Sequence, residues 1–339
     1  MNAASLVSKL VPWYLEVRRP LPWRVNRDPY RIWVSEVMLQ QTTVTAVIPY
    51  YERFMIRFPN LQALAEAPED AVLEHWAGLG YYSRARSLHK SAKELARLGG
   101  FPKTFEELIE LPGFGPYTAR AVASLAFGQN VGVVDGNVIR VLSRVYDLDL
   151  EWWKPKDRDR VQVKADELAQ AKYKGRLVDP SDVNQALMEL GASVCRPQNP
   201  SCMICPWSRD CLARENETIA LRPKSKPRRE TEIWLWEPRI VRRRDKSLML
   251  VKNDYAPFLK GHMIWPGQAT RLKKKPKDFH YKGGVTHHDI YVSVAEANAA
   301  DAKEFKTLFA EQTWISRDEM KTKVPSSLVR KAFDILSLD

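Results

Sequence analysis

Cysteine is scarce: the chain has four in 339 residues, all between positions 195 and 211. So few, placed so closely, exclude a disulfide framework spread through the fold and point to a single metal centre. Long apolar runs are missing as well. No stretch approaches the roughly eighteen consecutive apolar residues that a membrane-spanning helix needs, so such a helix is excluded. Residues 1–19 scatter charges through their apolar positions and carry no cleavage-site pattern. They predict an amphipathic helix over 3–18 of the mature protein and a cytoplasmic location. Acidic residues are outnumbered, 41 Asp and Glu against 53 Lys and Arg, for a net charge of +12. That balance predicts attraction to polyanions, nucleic acid first and a membrane surface second, and is silent on fold. The length allows two domains, or three.

What is present centres on LPGFGPYTARAVASLAFGQNVGVVDGN, residues 111–137. Pro116 suits the first turn of a helix, where its missing N–H costs nothing. The spacing of Ala119, Val122, Ala123, Ala126 and Phe127 predicts a buried helix from about 116 to 128. Gly113 and Gly115 let backbone approach a ligand, and the free N–H groups that start the helix suit a phosphate. Asp135 then follows a hydrophobic run beside Gly136 and Asn137, either as a functional carboxylate or as the cap of the next helix. Upstream, Asp28-Pro29 marks another helix start. Among Trp33, Val34, Val37, Met38 and Leu39 sits Glu36. Partly desolvated there, it would have the raised pKa of a general acid; on the wet side of the helix it would be an ordinary surface charge.

Gly78-Leu79-Gly80-Tyr81-Tyr82-Ser83-Arg84 combines a flexible turn with two aromatic rings, a pattern able to insert a ring into a base stack. The cysteines Cys195, Cys202, Cys205 and Cys211 form a C-x6-C-x2-C-x5-C array that can wrap one centre, a zinc ion or an iron–sulfur cluster. Residues 215–231 are polar, basic and proline-containing, a linker signature. Beyond them come short β-prone runs at 233–236 and 247–251, a period-two stretch at 285–294, and a last helix at roughly 325–337.

L-P-G-F-G-P-Y-T-A resembles the helix-hairpin-helix of the endonuclease III superfamily of DNA glycosylases, and V-D-G-N its catalytic aspartate segment. P-W-R…D-P-Y-x-x-W-V-S-E-V-M-L-Q-Q-T and G-L-G-Y-Y-S-R narrow the resemblance to the adenine glycosylases of the MutY family. It covers residues 1–217 densely and 232–339 only by position and scattered pattern. The resemblance implies an α + β multidomain protein. An all-α glycosylase region at 1–217 would comprise a six-helix barrel (about 22–136) and an iron–sulfur subdomain (1–21 plus 137–217). A basic linker (218–231) would lead to a Nudix-like α/β domain (232–339) that recognises 8-oxoguanine. The glutamate box of Nudix hydrolases is not visible, so nucleotide hydrolysis is not expected.

The same resemblance assigns residues. Glu36 and Asp135 would be catalytic, oriented by Tyr117 and Asn137; Trp23, Arg24 and Gln185 would line the adenine pocket. Gln40, Gln41, Leu79, Tyr81, Gly113 and Gly115 would meet DNA, with Gln41 as a wedge and Tyr81 intercalating. The four cysteines would hold a [4Fe–4S] cluster, the spacing being that family's. Thr286 and His287 would sense 8-oxoguanine, although the family's F-S-H is here Val285-Thr286-His287. The implied activity is a monofunctional glycosylase, because the position of the Schiff-base lysine of bifunctional relatives is Tyr117. It would act as a monomer on double-stranded DNA carrying 8-oxoG:A or G:A mispairs, in the cytoplasm at the nucleoid. The competing readings are a thymine mismatch glycosylase or endonuclease III-like enzyme, and a non-catalytic iron–sulfur DNA-binding protein.

Overall fold

A computed structural model describes residues 2–227, 230–324 and 326–336. Arg228 and Arg229 of the basic linker lie outside the described residues, as do Pro325 and Ser337 at the ends of the expected last helix. The chain divides into two compact units, Met1–Lys226 and Pro227–Asp339.

The first unit is helical. Its helices are α1 (Ala3–Val17), α2 (Pro29–Leu39), α3 (Val44–Arg57), α4 (Leu61–Ala65), α5 (Glu69–Trp76), α6 (Tyr82–Arg97), α7 (Phe105–Leu108), α8 (Pro116–Leu125), α9 (Gly136–Val145), α10 (Pro155–Ala169), α11 (Pro180–Ser193) and α12 (Leu212–Glu215), with a small ribbon of β1 (Lys172–Tyr173) and β2 (Arg176–Leu177). Proline opens α2, α8, α10 and α11, where its fixed φ is already helical and no donor is lost. Asp28 and Asp179 complete two of these starts by accepting from the N–H of Tyr30 (2.9 Å) and Ser181 (3.0 Å). Each such cap typically contributes about 1 kcal/mol.

Two cores organise these helices. One gathers Trp33, Phe54, Trp76, Leu88, Phe114 and Val122. The other gathers Leu6, Leu10, Val138, Leu142, Leu187 and Trp207, so α1 packs against the late helices. The buried indole of Trp207 donates to the Leu6 carbonyl at 2.8 Å and ties the two ends of the unit together. A strip of Ile32, Ala121, Leu125 and Val133, flanked by Tyr117 and Met188, forms a separate small cluster. The candidate catalytic residues sit beside this strip.

The second unit contains a mixed sheet of order β6-β3-β8-β7, built from β3 (Glu232–Ile240), β6 (Gly267–Leu272), β7 (Tyr281–Val285) and β8 (His288–Val292). β3 pairs parallel with β8 and antiparallel with β6, and the short β9 (Ala295–Glu296) pairs parallel with the end of β3. A second sheet has the order β10-β4-β5, with β4 (Leu248–Lys252), β5 (Met263–Ile264) and β10 (Gln312–Ile315). Helices α13 (Ala299–Leu308), α14 (Met320–Lys323) and α15 (Ser327–Leu336) complete it. Helix α15 buries Leu328, Val329, Ala332 and Phe333 in a core with Trp236 and Trp265.

The stretch 285–294, read above as one alternating run, is broken. Val285 pairs with His288, which makes Thr286-His287 a two-residue hairpin turn, with Thr286 at φ 56°. The face shared by Tyr281, Gly283 and Val285 on β7 continues through His288, Ile290 and Val292 on β8, so the positions on that face change parity across the turn.

Candidate active site

A cleft of about 810 Å³ in the first unit is lined by Trp23, Arg24, Glu36, Gln40, Gln41, Tyr117, Asp135, Asn137 and Gln185, among others. These residues come from five separate places in the chain. Glu36 lies on the last turns of α2 and is buried, 5 % exposed, not on the wet side of the helix. Burial pushes its carboxyl up to about 7, because the charged form loses its hydration. The Tyr117 hydroxyl donates to Glu36 Oε2 and opposes that shift, while the charge of Asp135 adds to it. Tyr117 itself is pushed well above the ordinary tyrosine range by burial and by Glu36, so it remains a donor.

Asp135 precedes α9 and lines the cleft. Its Oδ1 accepts from the Val138 N–H at 2.7 Å and caps the helix. Its Oδ2 accepts from Asn137 Nδ2 at 3.0 Å. Desolvation raises its pKa, and the two hydrogen bonds and Arg140 pull the other way. Asn137 is held in turn by Arg140, whose Nη2 donates to Asn137 Oδ1 (2.7 Å) and to the Gly191 carbonyl (2.8 Å). Helix α11 passes so close at Gly191 that a Cβ there would sit 2.5 Å from the Asn137 Cβ; glycine alone allows the approach.

On the other wall, Trp23 is buried edge-on against Tyr51. Gln185 is oriented by Tyr14, which donates to its Oε1 at 3.1 Å, and by Ser181. Arg24 donates to Glu189 Oε2 at 2.9 Å and lies over the Tyr14 ring. Glu189, one helical turn after Gln185, is buried and also receives Arg19. In the sequence, the one mark of Glu189 is its place four residues after Gln185, on the same helix face. Replacing it, Glu189→Gln, leaves a largely buried Arg24 without its counter-ion. We expect a loss of about 3–5 kcal/mol of unfolding free energy, measured by urea denaturation.

The residues expected to meet DNA separate into groups. Gln40 donates to Thr118 Oγ1 at 3.3 Å. Gln41 and Tyr81 are exposed, and both hold left-handed backbone, at φ 59° and 51°. Non-glycine residues rarely do this, and at functional sites such strain is held in place by the surrounding structure. Here Arg84 supplies the hold: its guanidinium donates to the Val37 and Met38 carbonyls at the end of α2, to Gln40 O, and to Thr42, Leu79 and Gly80. One arginine thus caps α2 and joins the Gln41 turn to the Tyr81 turn, a role its sequence context did not reveal. Leu79 needs a correction: its side chain is buried in the first core, where its loop secures an apolar anchor, and Tyr81 is the exposed member of the turn. Gly113 has φ 82°, and a Cβ there would lie 2.6 Å from Ser91 Oγ. Gly115 takes the N-cap position of α8.

Cys195, Cys202, Cys205 and Cys211 line one pocket, together with Val141, Leu190, Val194 and Ile219. Four sulfur donors on one pocket fit a metal centre. Burial pushes the Cys205 thiol up to about 12, a donor that becomes a thiolate only against a cationic metal. Arg144, buried at 4 % exposure, donates to the carbonyls of Arg196 and Pro197 and to Cys195 Sγ (3.4 Å). Arg140 donates to the Cys195 carbonyl at 2.7 Å. A continuous chain therefore runs from the cysteine loop through Arg140 and Asn137 to Asp135.

In the second unit Thr286 and His287 form the β7–β8 turn, with Thr286 exposed and His287 half-buried.

A profile of the HhH-GPD superfamily of base excision DNA repair proteins matches residues 34–170. Human adenine DNA glycosylase is 48% identical over 220 residues, 61% of this chain and 39% of that protein. The adenine DNA glycosylase of Buchnera aphidicola from Baizongia pistaciae is 40% identical over 222 residues, 65% of this chain and 61% of that one. The chain thus spans 39% and 61% of the length of these two relatives. The adenine DNA glycosylase of Buchnera aphidicola from Schizaphis graminum is 30% identical over 331 residues, 90% of this chain and 91% of that one. Among solved structures, a thermostable thymine-DNA glycosylase matches with a TM-score of 0.55 and 29% identity, over 63% of this chain and 97% of its own. Endonuclease III in a non-covalent DNA complex shares the fold, with a TM-score of 0.51 and 22% identity over 64% of this chain and 98% of its own. With a relative aligned along 90% of it and 91% of that relative, the chain belongs to the family of adenine DNA glycosylases.

Proposed function

We propose that the chain is a monofunctional DNA glycosylase that hydrolyses the N-glycosidic bond of adenine mispaired with 8-oxoguanine or guanine. The observation that carries this is Glu36: a buried carboxyl held near neutral pKa, in one cleft with Asp135. Breaking a purine glycosidic bond needs a protonated leaving group and a stabilised oxocarbenium-like sugar. Glu36, protonated near pH 7, gives its proton to N7 of the base and as a carboxylate then activates water. Asp135 stabilises the sugar cation, directly or through a transient covalent link. The base reaches the cleft by leaving the stack, at a cost of a few kcal/mol that is least at a mispair. Gln41 and Tyr81 fill the gap, Gly113, Gly115 and the start of α8 hold phosphate, and Trp23, Arg24 and Gln185 receive the base. Thr286 and His287 read the opposite 8-oxoguanine. The four cysteines hold a [4Fe–4S] cluster, which supplies a fixed, positively surrounded centre for docking DNA. Tyr117 has no amine for a Schiff base, so strand cleavage through an imine does not occur.

Single-turnover reactions on 8-oxoG:A, G:A, G:T and 8-oxoG:C duplexes, with alkali revealing abasic sites, test this. Adenine release that is fastest opposite 8-oxoG supports it. Equal rates opposite 8-oxoG and G remove the role given to Thr286 and His287. Thymine release without adenine release, or no release at all, overturns it. Tyr117→Phe gives a finer check. It removes the hydrogen bond that lowers the Glu36 pKa, so the alkaline fall in the single-turnover rate moves to higher pH. An unmoved limb would separate Tyr117 from Glu36.

A further inference from the structure

We propose that the second unit carries a zinc site formed by Glu232, His287 and His288. Each offers one ligand atom, and the three atoms lie within 4.8 Å of one another. Bond cleavage at Glu36 and Asp135 uses none of the three, and only His287 is shared with the turn proposed to read 8-oxoguanine. The sheet register brings them together: Glu232 opens β3 and is the parallel partner of His288 on β8, and its N–H donates to the His287 carbonyl at 2.9 Å. His287 is the second residue of the β7–β8 turn. The site therefore rests on paired strands, a rigid support for coordination.

The distances favour a metal over a hydrogen bond. His288 Nε2 lies 3.4 Å from Glu232 Oε2, beyond the usual 2.7–3.2 Å range of N–H···O bonds. Two ligands at about 2.0–2.1 Å on a tetrahedral zinc are about 3.4 Å apart. The surroundings also suit zinc. Thr286 Oγ1 donates to the Val285 carbonyl at 2.7 Å and sits 3.4 and 3.5 Å from the Nδ1 atoms of His287 and His288. The Trp234 indole donates to Glu232 Oε2 at 3.0 Å, and Arg271 pairs with Oε1 at 3.2 Å, which keeps the carboxylate ionised and oriented. Two imidazoles and a carboxylate make a three-ligand set that leaves a fourth position to water.

The test titrates the full chain, as purified, with zinc chloride in a calorimeter, beside His287→Gln, His288→Gln and Thr286→Val. The wild type is expected to take up one zinc ion that His287→Gln and His288→Gln do not. Thr286→Val, which leaves all three ligands in place, is expected to keep that stoichiometry. X-ray absorption at the zinc edge is expected to show nitrogen and oxygen ligands, and zinc is expected to raise the unfolding temperature of the wild type but not of His287→Gln. His287 is at a half-buried turn position, so that variant decides the matter if the buried His288→Gln does not fold. Equal zinc uptake and affinity in wild type and His287→Gln, or sulfur ligation of the extra zinc, overturns the proposal.

Discussion

Glu36→Gln is expected to lose base release almost entirely and to gain stability. Removal of a general acid typically costs about 10²–10⁴-fold in rate, and an amide cannot supply the proton to a purine nitrogen. The stability change has the opposite sign. The folded carboxyl titrates at about 7, against an ordinary value of 4.5. Between these values the native state binds the proton and the unfolded state does not, so stability falls as pH rises from about 4.5 to 7 and stays reduced above it. Two to three pKa units correspond to about 3 kcal/mol. Glu36→Gln therefore unfolds at higher urea than wild type at pH 8, and the two converge below pH 4.5. The wild-type single-turnover rate falls on the alkaline side of about pH 7. An unchanged rate in the variant, or a variant less stable at pH 8, would contradict the assignment of Glu36 as a buried acid.

Asp135→Asn separates the charge of the second carboxylate from its structural duty. Asparagine caps a helix about as well as aspartate, so the bond from the Val138 N–H is retained and α9 keeps its start. The negative charge is lost from the place where positive charge would develop on the sugar. Losing an electrostatic partner of a transition state typically costs about 10²–10³-fold. Stability is expected to hold or rise at neutral pH, because Asp135 too is raised by desolvation. Asp135→Ala loses the cap as well, about 1 kcal/mol, and unfolds at lower urea than Asp135→Asn. If the asparagine variant releases adenine within a few-fold of wild type, Asp135 is only a cap.

The strained backbone offers a common thread. Gln41, Tyr81 and Thr286, each placed by resemblance at a DNA contact, are all non-glycine residues at φ between 51° and 59°. None carries a sequence mark of that conformation. Glycine at such sites would relax the turn but would remove the side chain that the turn presents.

Much of the chemistry was legible in local sequence because it depends on local rules. The Asp28-Pro29 and Gly115-Pro116 starts announce α2 and α8 through capping and a missing N–H. Spacing marks the cysteines, and apolar periodicity marks most helices of the first unit. Three things depended on tertiary structure. Whether Glu36 was wet or buried turned on which face of α2 met the strip of Ile32, Ala121 and Val133, a choice made by residues nearly 100 positions apart. The arginines Arg84, Arg140 and Arg144 look like surface charge in sequence, and became organisers only where carbonyls from distant loops converged on them. The Thr286-His287 turn was hidden because it carries none of the Gly, Asn or Asp signals of a two-residue hairpin. The amino-acid sequence determined which groups could act and where helices begin. The packing of distant segments determined which carboxyl loses its water, and with it which proton is available at neutral pH, because desolvation is a property of the enclosing structure and not of the residue.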